Sequence, residues 1–186
     1  MIAIIIIAVL VVVLVLIFIG VNNSMIGARN RCDEAWSGID VQLKRRHDLI
    51  PNLVNAVKGY MDFESGTLTA VTNARANAVA AGAAGPAAAA AAENQLTQTL
   101  RSLFAVVENY PELKANQNVM ALQEELTTTE NRISFARQHY NATTRDYNTA
   151  VATFPSVLIA RQFGFAQRDF FDAEPEAEAV PEVNLR

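Results

Sequence analysis

Apolar side chains occupy nearly every position from Met1 to Val21, MIAIIIIAVLVVVLVLIFIGV, and no charged residue occurs before Arg29. At a rise of about 1.5 Å per residue, about 20 such residues cover the roughly 30 Å hydrocarbon core of a bilayer. A helix on the surface of a soluble domain needs only one apolar stripe, so one that is apolar all round predicts a membrane span. A cleaved signal peptide would carry a basic leading region, a shorter apolar run and a small-residue cleavage site. This stretch instead starts Met1-Ile2 and keeps β-branched Ile and Val almost to Gly20. Residues 1–24 are therefore expected to stay in place as an anchor.

Beyond the anchor the pattern becomes periodic. Cys32, Trp36, Ile39, Leu43, Ile50, Leu53, Val57, Tyr60, Leu68 and Val71 recur at three-and-four spacing, with Arg46 and Glu64 interrupting the seam. That period is helical. Pro51 lies inside it, and a proline in a helix interior removes one backbone donor and costs about 3 kcal/mol. Asp48 could cap a new helix with Pro51 in its first turn, or one long helix could kink there. Matching the lengths of the later helices favours a break with a tight turn near Arg46–Ile50, giving a bundle of four helices; continuation through Pro51 would leave three.

Ala74 to Ala92 is nearly low in complexity and is interrupted by Gly82 and Gly85-Pro86, a loop that stops one helix and lets Pro86 open the next. The third helix is predicted over Pro86 to Asn109, with Leu96, Leu100, Leu103, Val107 and Tyr110 on one face, and Tyr110-Pro111 ends it. The fourth starts near Asn116 or Asn118 and runs to about Val151. Its stripe is Val119, Leu122, Leu126, Ile133, Ala136, Tyr140, Tyr147, Ala150 and Phe154. Strict apolar–polar alternation is missing at any useful length, so the fold class is all-α: a transmembrane helix followed by an antiparallel up-and-down bundle over 25–155.

Residues 156–171 form a second apolar and aromatic cluster, with Val157-Leu158-Ile159, Phe163-Gly164-Phe165 and Phe170-Phe171 beside Arg161 and Arg168. Such a segment either folds back over the end of the bundle or meets lipid head groups, as aromatic and basic stretches do at interfaces. The tail 172–186, acidic and proline-containing, is expected to be disordered.

Composition narrows the chemistry. The chain has 186 residues and a formal net charge of −4, which gives no electrostatic reason to expect nucleic-acid binding. The single cysteine, Cys32, excludes an internal disulfide and any multi-cysteine metal site, and reads as a small buried apolar residue. A di-metal bundle enzyme would need Glu-x-x-His pairs, but Lys44 and Ala136 stand three residues before His47 and His139. Gly-x-Ser-x-Gly, a phosphate-cradling glycine loop and His-Glu-x-x-His are also missing from the sequence. No catalytic residue, cofactor, metal or small-molecule substrate is expected.

The densest basic run is Lys44-Arg45-Arg46-His47. Lys44, Arg45 and Arg46, together with Arg161, Phe163, Phe165 and Arg168, are the candidate contacts for anionic lipid or a partner, since about 1 kcal/mol per basic residue is available close to such a surface. A continuous helix would carry the run roughly 35 Å past the membrane, several Debye lengths away.

The stretch RNRCDEAWSGIDVQLKRRHDLIPNLVNAVKGYMDFE, Arg29 to Glu64, resembles a signature of the LemA family of bacterial membrane proteins. The segment from Tyr110 to Phe165 is similar to that family's second signature. The most specific matches include Asp33, Glu34 and Trp36, the run around Pro51 and Asn52, and Phe154-Pro155. The chain departs from the pattern at Cys32, where an aliphatic residue is usual, and at Phe63, where the family often has His. The resemblance implies a single N-terminal span and an antiparallel helical bundle, with no catalytic residues to carry over.

The function expected is that of a membrane-anchored scaffold or adaptor acting through self-association, as a homo-oligomer, and through an unidentified membrane-protein partner. Membrane shaping or anionic-lipid binding, or service as a non-catalytic accessory subunit of a membrane protease or hydrolase, are the alternatives. Arg29 and Arg31 follow the anchor closely and no side-chain charge precedes it. The positive-inside rule therefore places the bundle on the cytoplasmic side of the bacterial inner membrane, N-terminus out.

Overall fold

Residues 1–60 and 64–171 are described by a computed structural model; Phe63 and the acidic tail from Asp172 lie outside them. The first helix, α1, runs without interruption from Ile2 to Lys58, 57 residues, or about 85 Å. It is followed by α2 (Ser65–Gly82), α3 (Pro86–Val107), the single turn α4 (Pro111–Lys114), α5 (Gln117–Ala152) and α6 (Ser156–Phe163). The described residues contain no strand.

Burial along α1 follows the residue pattern. Its first 20 residues are exposed on every face. From Met25 the buried positions step through Ala28, Cys32, Ala35, Ile39, Leu43, Arg46, His47, Ile50, Leu53 and Val57, one stripe at helical period.

The break expected near Arg46–Ile50 does not occur; the helix passes through Pro51 and ends at Lys58. Pro51 has no N–H for the carbonyl of His47, four residues back. That carbonyl accepts a hydrogen bond at 2.6 Å from Nε of Arg75 on α2. A side-chain donor thus replaces the missing backbone donor, removing much of the penalty that would otherwise end the helix. α1 ends at Lys58 and α2 opens only at Ser65, so the bundle keeps four helices even though α1 is continuous.

The α2–α3 reversal falls where the glycines predict it. Gly85 has φ +109°, a conformation open to glycine, and Pro86 takes the first helical position of α3. Asn116 caps α5, its side-chain oxygen accepting from the backbone N–H groups of Asn118 and Val119 at 3.0 and 3.3 Å.

In the half far from the anchor, α1, α2, α3 and α5 enclose a core of Leu53, Val57, Val71, Leu96, Leu103 and Leu126 among others. Cys32 meets Thr143 whereas Arg45 meets Glu125, so α5 runs antiparallel to α1. A middle layer joins Ile39 and Leu43 to Ala89, Ala90, Ile133 and Tyr140. Below it the α2–α3 hairpin has ended. There Met25, Ala28 and Cys32 pack on Tyr147, Val151 and Ala160, with Ile159 and Phe165 alongside, so the C-terminal segment supplies the missing wall.

Candidate functional site

Two arrangements gather the polar and aromatic residues of interest. The first sits inside the bundle. Arg46 is only 3 % exposed, placed there by its position on the buried stripe of α1. Its Nη1 lies 3.3 Å from Oε2 of Glu93 and 3.1 Å from Oε2 of Glu130, and its Nη2 donates to Oγ1 of Thr97 at 2.7 Å. Nε2 of His47 is 2.6 Å from the other oxygen of Glu93. Buried charges persist only when paired and hydrogen-bonded, and here both carboxylate oxygens of Glu93 are engaged. Three helices are thereby held in one register. A cavity of about 190 Å³ opens beside this cluster, lined by Arg46, Thr97, Leu100, Phe104 and Glu130 among others.

The basic run therefore does not form a surface patch. Lys44 pairs with Asp40 at 2.6 Å and Arg45 with Glu125, both on the outside, while Arg46 points inward. Arg46 as a lipid or partner contact is corrected: it is a structural ion of the core. Glu93 was not singled out by the sequence, although it directly follows the alanine-rich tract and stands in register with Leu96 and Leu100. Among the described residues, no group of three or more His, Cys, Asp and Glu is placed to hold a metal ion.

The second arrangement is a clasp near the anchor. Gly164, in the left-handed conformation at φ +71°, ends α6, and residues 165–171 return along α5. Asn141 and Asn148, two turns apart on α5, each hold this strand of backbone with both groups of the amide. Asn148 exchanges hydrogen bonds with Arg168 at 2.9 Å in each direction. Asn141 does so with Phe171 at 3.2 and 2.9 Å. The hydroxyls of Tyr140 and Tyr147 donate to the carbonyls of Asp169 and Ala166. From α1, Trp36 packs its ring 5.5 Å from Tyr140 and 5.7 Å from Phe171. Asp33 pairs with Arg168 at 2.6 Å.

Burial pushes both tyrosine hydroxyls above the ordinary phenol range, because the ionised form would lose its hydration. Burial of Arg168 opposes its charge, but the hydrogen bond and charge of Asp33 outweigh it and raise the guanidinium pKa. Arg168 and Phe165, both expected as lipid or partner contacts, are thus built into the clasp: Phe165 packs on the lowest core layer beneath the guanidinium of Arg29, 5.4 Å from its ring.

Of the signature residues, Asp33 and Trp36 hold the clasp and Pro51 lies within α1. Glu34, Asn52, Phe154 and Pro155 are exposed. Phe154, expected on the inner stripe of the fourth helix, stands beyond its end and is 80 % exposed. Arg161 and Phe163 are also exposed. The ring of Phe163 nevertheless lies 5.6 Å from that of Phe18, near the end of the apolar run of α1.

The LemA family model matches residues 35–185. Similar proteins include Magnetosome protein MamQ of Magnetospirillum gryphiswaldense, 24 % identical over 166 residues, and Magnetosome protein MamQ 2 of Paramagnetospirillum magneticum, 25 % identical over the same length. Both comparisons cover 76 % of this chain but only 61 % of the relative. Protein LemA of Metamycoplasma hominis is 24 % identical over 165 residues, covering 88 % of this chain and 74 % of that protein. With its apolar N-terminal helix, its all-helical bundle and a family match over residues 35–185, the chain belongs to the LemA family.

Proposed function

We propose that the protein is a single-pass scaffold of the bacterial inner membrane that presents its bundle at a fixed height and orientation for self-association and partner binding. The observation carrying this reading is the unbroken α1, in which the exposed apolar N-terminal run and the wall of the bundle are one helix. A bundle on a flexible linker would sample all orientations, whereas one sharing its helix with the anchor keeps the same faces turned to its neighbours. Confinement to a membrane raises the effective concentration of weak lateral contacts. The family likeness to proteins named for the magnetosome, and to LemA, supports a membrane-associated role. Arg29 and Arg31 favour a cytoplasmic bundle.

Cross-linking in native membranes and mass photometry in mild detergent test the proposal. Discrete oligomers or a stoichiometric partner are expected. A strict monomer by both measurements, with nothing co-purifying, would remove it.

A further inference from the structure

Outside the apolar run of α1, exposed large apolar side chains gather at α6 and the turn before it. Phe154, Leu158 and Phe163 are 80 %, 61 % and 55 % exposed, and Arg161 is exposed among them. Leu158 and Arg161, three residues apart, share one face of α6, and Phe154 stands in the turn just before the helix. On the opposite face Ala160 is buried against the layer containing Met25, Ala28 and Val151. The inner face of the short helix is held by protein, and its exposed positions combine the apolar Leu158 and Phe163 with the polar Arg161 and Gln162.

The height of this face is fixed by contact with α1. Phe163 lies against Phe18 at 5.6 Å, and Phe18 falls in the last turn of the run that is apolar all round, just before Gly20, Asn22 and Asn23. Val21, where that run ends, packs on the same layer as Ala160. If α1 crosses a bilayer, α6 has no place to be except at the boundary between acyl chains and head groups. Exposed cations at this end include Arg161 within α6 and Arg29, whose guanidinium lies over Phe165, both suited to phosphate head groups.

We infer that α6 and the preceding Phe154 form an interfacial foot. Phe154, Leu158 and Phe163 enter the outer part of the acyl region of the membrane that α1 crosses, and Arg161 engages lipid phosphate. Helices of this character sit about 5–10 Å into that boundary. The foot and the clasp divide the C-terminal segment between them: the clasp residues Phe165, Arg168 and Phe171 bind protein, and the foot residues bind lipid. With the anchor as one attachment and the foot as a second beside it, the bundle is held from tilting as well as from leaving. The inference rests on the membrane-spanning part of the proposed function and not on self-association.

The test uses the full chain in vesicles of phosphatidylcholine and phosphatidylglycerol, in a Cys32→Ala background. Single cysteines at Leu158→Cys, Phe154→Cys, Val13→Cys and Phe135→Cys carry an environment-sensitive fluorophore. Phe135 is an exposed residue of α5 in the body of the bundle. Phosphatidylcholine spin-labelled just beneath the head groups is expected to quench the labels at 154 and 158 and to spare the label at 135. Phosphatidylcholine labelled deep in the chain is expected to quench the label at 13. Labels at 154 and 158 that are as insensitive as the one at 135, with 13 quenched, overturn the foot and leave the anchor standing. Labels at 154 and 158 that are shielded from aqueous iodide yet untouched by spin-labelled lipid identify a second protein as the occupant and also overturn it. An unquenched label at 13 overturns both the span and the foot.

Discussion

At the scale of single residues, the buried carboxylate of Glu93 carries the most consequence. It faces Arg46 and His47 from α1, and all three side chains are largely buried. Removing one member of a buried pair strands the other charge, at a cost of about 3–5 kcal/mol, whereas replacing both with apolar groups of similar volume is often close to neutral. Glu93→Ala is therefore expected to lower the thermal midpoint of the detergent-solubilised protein sharply, as read by circular dichroism. Combining Arg46→Met with Glu93→Leu should recover most of the loss. An equal loss in the double variant would mean that the ions themselves, and not their mutual satisfaction, stabilise the bundle. The tyrosines of the clasp give a pH dependence of definite sign. Tyr140 and Tyr147 have raised pKa values in the folded state, so the stability they lend is complete below the ordinary phenol value of about 10 and is lost as pH rises from there through the folded values. Arg168, held charged by Asp33, does not titrate out in that interval. Trp36 is the single tryptophan and touches Phe171 across the clasp, so its emission should report the strand's release in the alkaline range. Tyr140→Phe with Tyr147→Phe should flatten that pH profile, at a cost near neutrality of about 1 kcal/mol per hydrogen bond lost.

At the scale of elements, the relation between Pro51 and Arg75 explains both why α1 is long and what couples it to α2. Arg75→Met leaves the His47 carbonyl without its 2.6 Å donor, and an unsatisfied buried acceptor costs about 1–3 kcal/mol. In a Pro51→Ala background the alanine N–H supplies the ordinary helical bond, so the same change at Arg75 should cost markedly less. A double-mutant cycle from urea unfolding would show this as coupling, and additivity would refute the compensation. The same pair marks the limit of what the residue pattern discloses. The residue pattern disclosed the apolar N-terminal helix, the helical class, the stripe from Cys32 to Val57 and the Gly85-Pro86 reversal, because each depends on residues close in sequence. It placed a break at Pro51 because the donor that cancels the proline's penalty comes from another helix. The true end of α1, at Lys58, was masked by Tyr60 and Leu68, which continue the apolar period beyond it. Arg46 looked like an interruption of the seam and Glu93 drew no attention, and only their juxtaposition makes a site. Asn141 and Asn148 gave no signal at all, since an amide that grips backbone has the same sequence signature as one that faces water.

At the scale of the whole molecule, the continuity of α1 makes the anchor's rotation and the bundle's rotation one variable. A residue inserted into an α-helix turns everything beyond it by about 100°, whereas seven residues nearly restore the phase while lifting the bundle by about 10 Å. The contact between Phe18 and Phe163 reads that variable directly, because one ring belongs to the anchor and the other to a segment mounted on the bundle. With Cys32 replaced by Ala, cysteines at Phe18→Cys and Phe163→Cys should be joined within one chain in membranes by a short bifunctional thiol reagent, which spans the gap left by two facing rings. One alanine inserted after Asn22 carries residue 163 around the helix axis and should abolish the cross-link. Seven inserted residues raise it out of reach and should abolish it too, while restoring the azimuth of the bundle. The two insertions then separate orientation from height in the assembly test. If lateral oligomers depend on which face the bundle turns to its neighbours, the single alanine disrupts them and the seven-residue insertion preserves them. If they depend on the foot's seating in the head-group layer, both insertions disrupt them. Retention of the 18–163 cross-link after a one-residue insertion would show that α1 yields between Asn22 and Met25, and the fixed-orientation scaffold would fall with it.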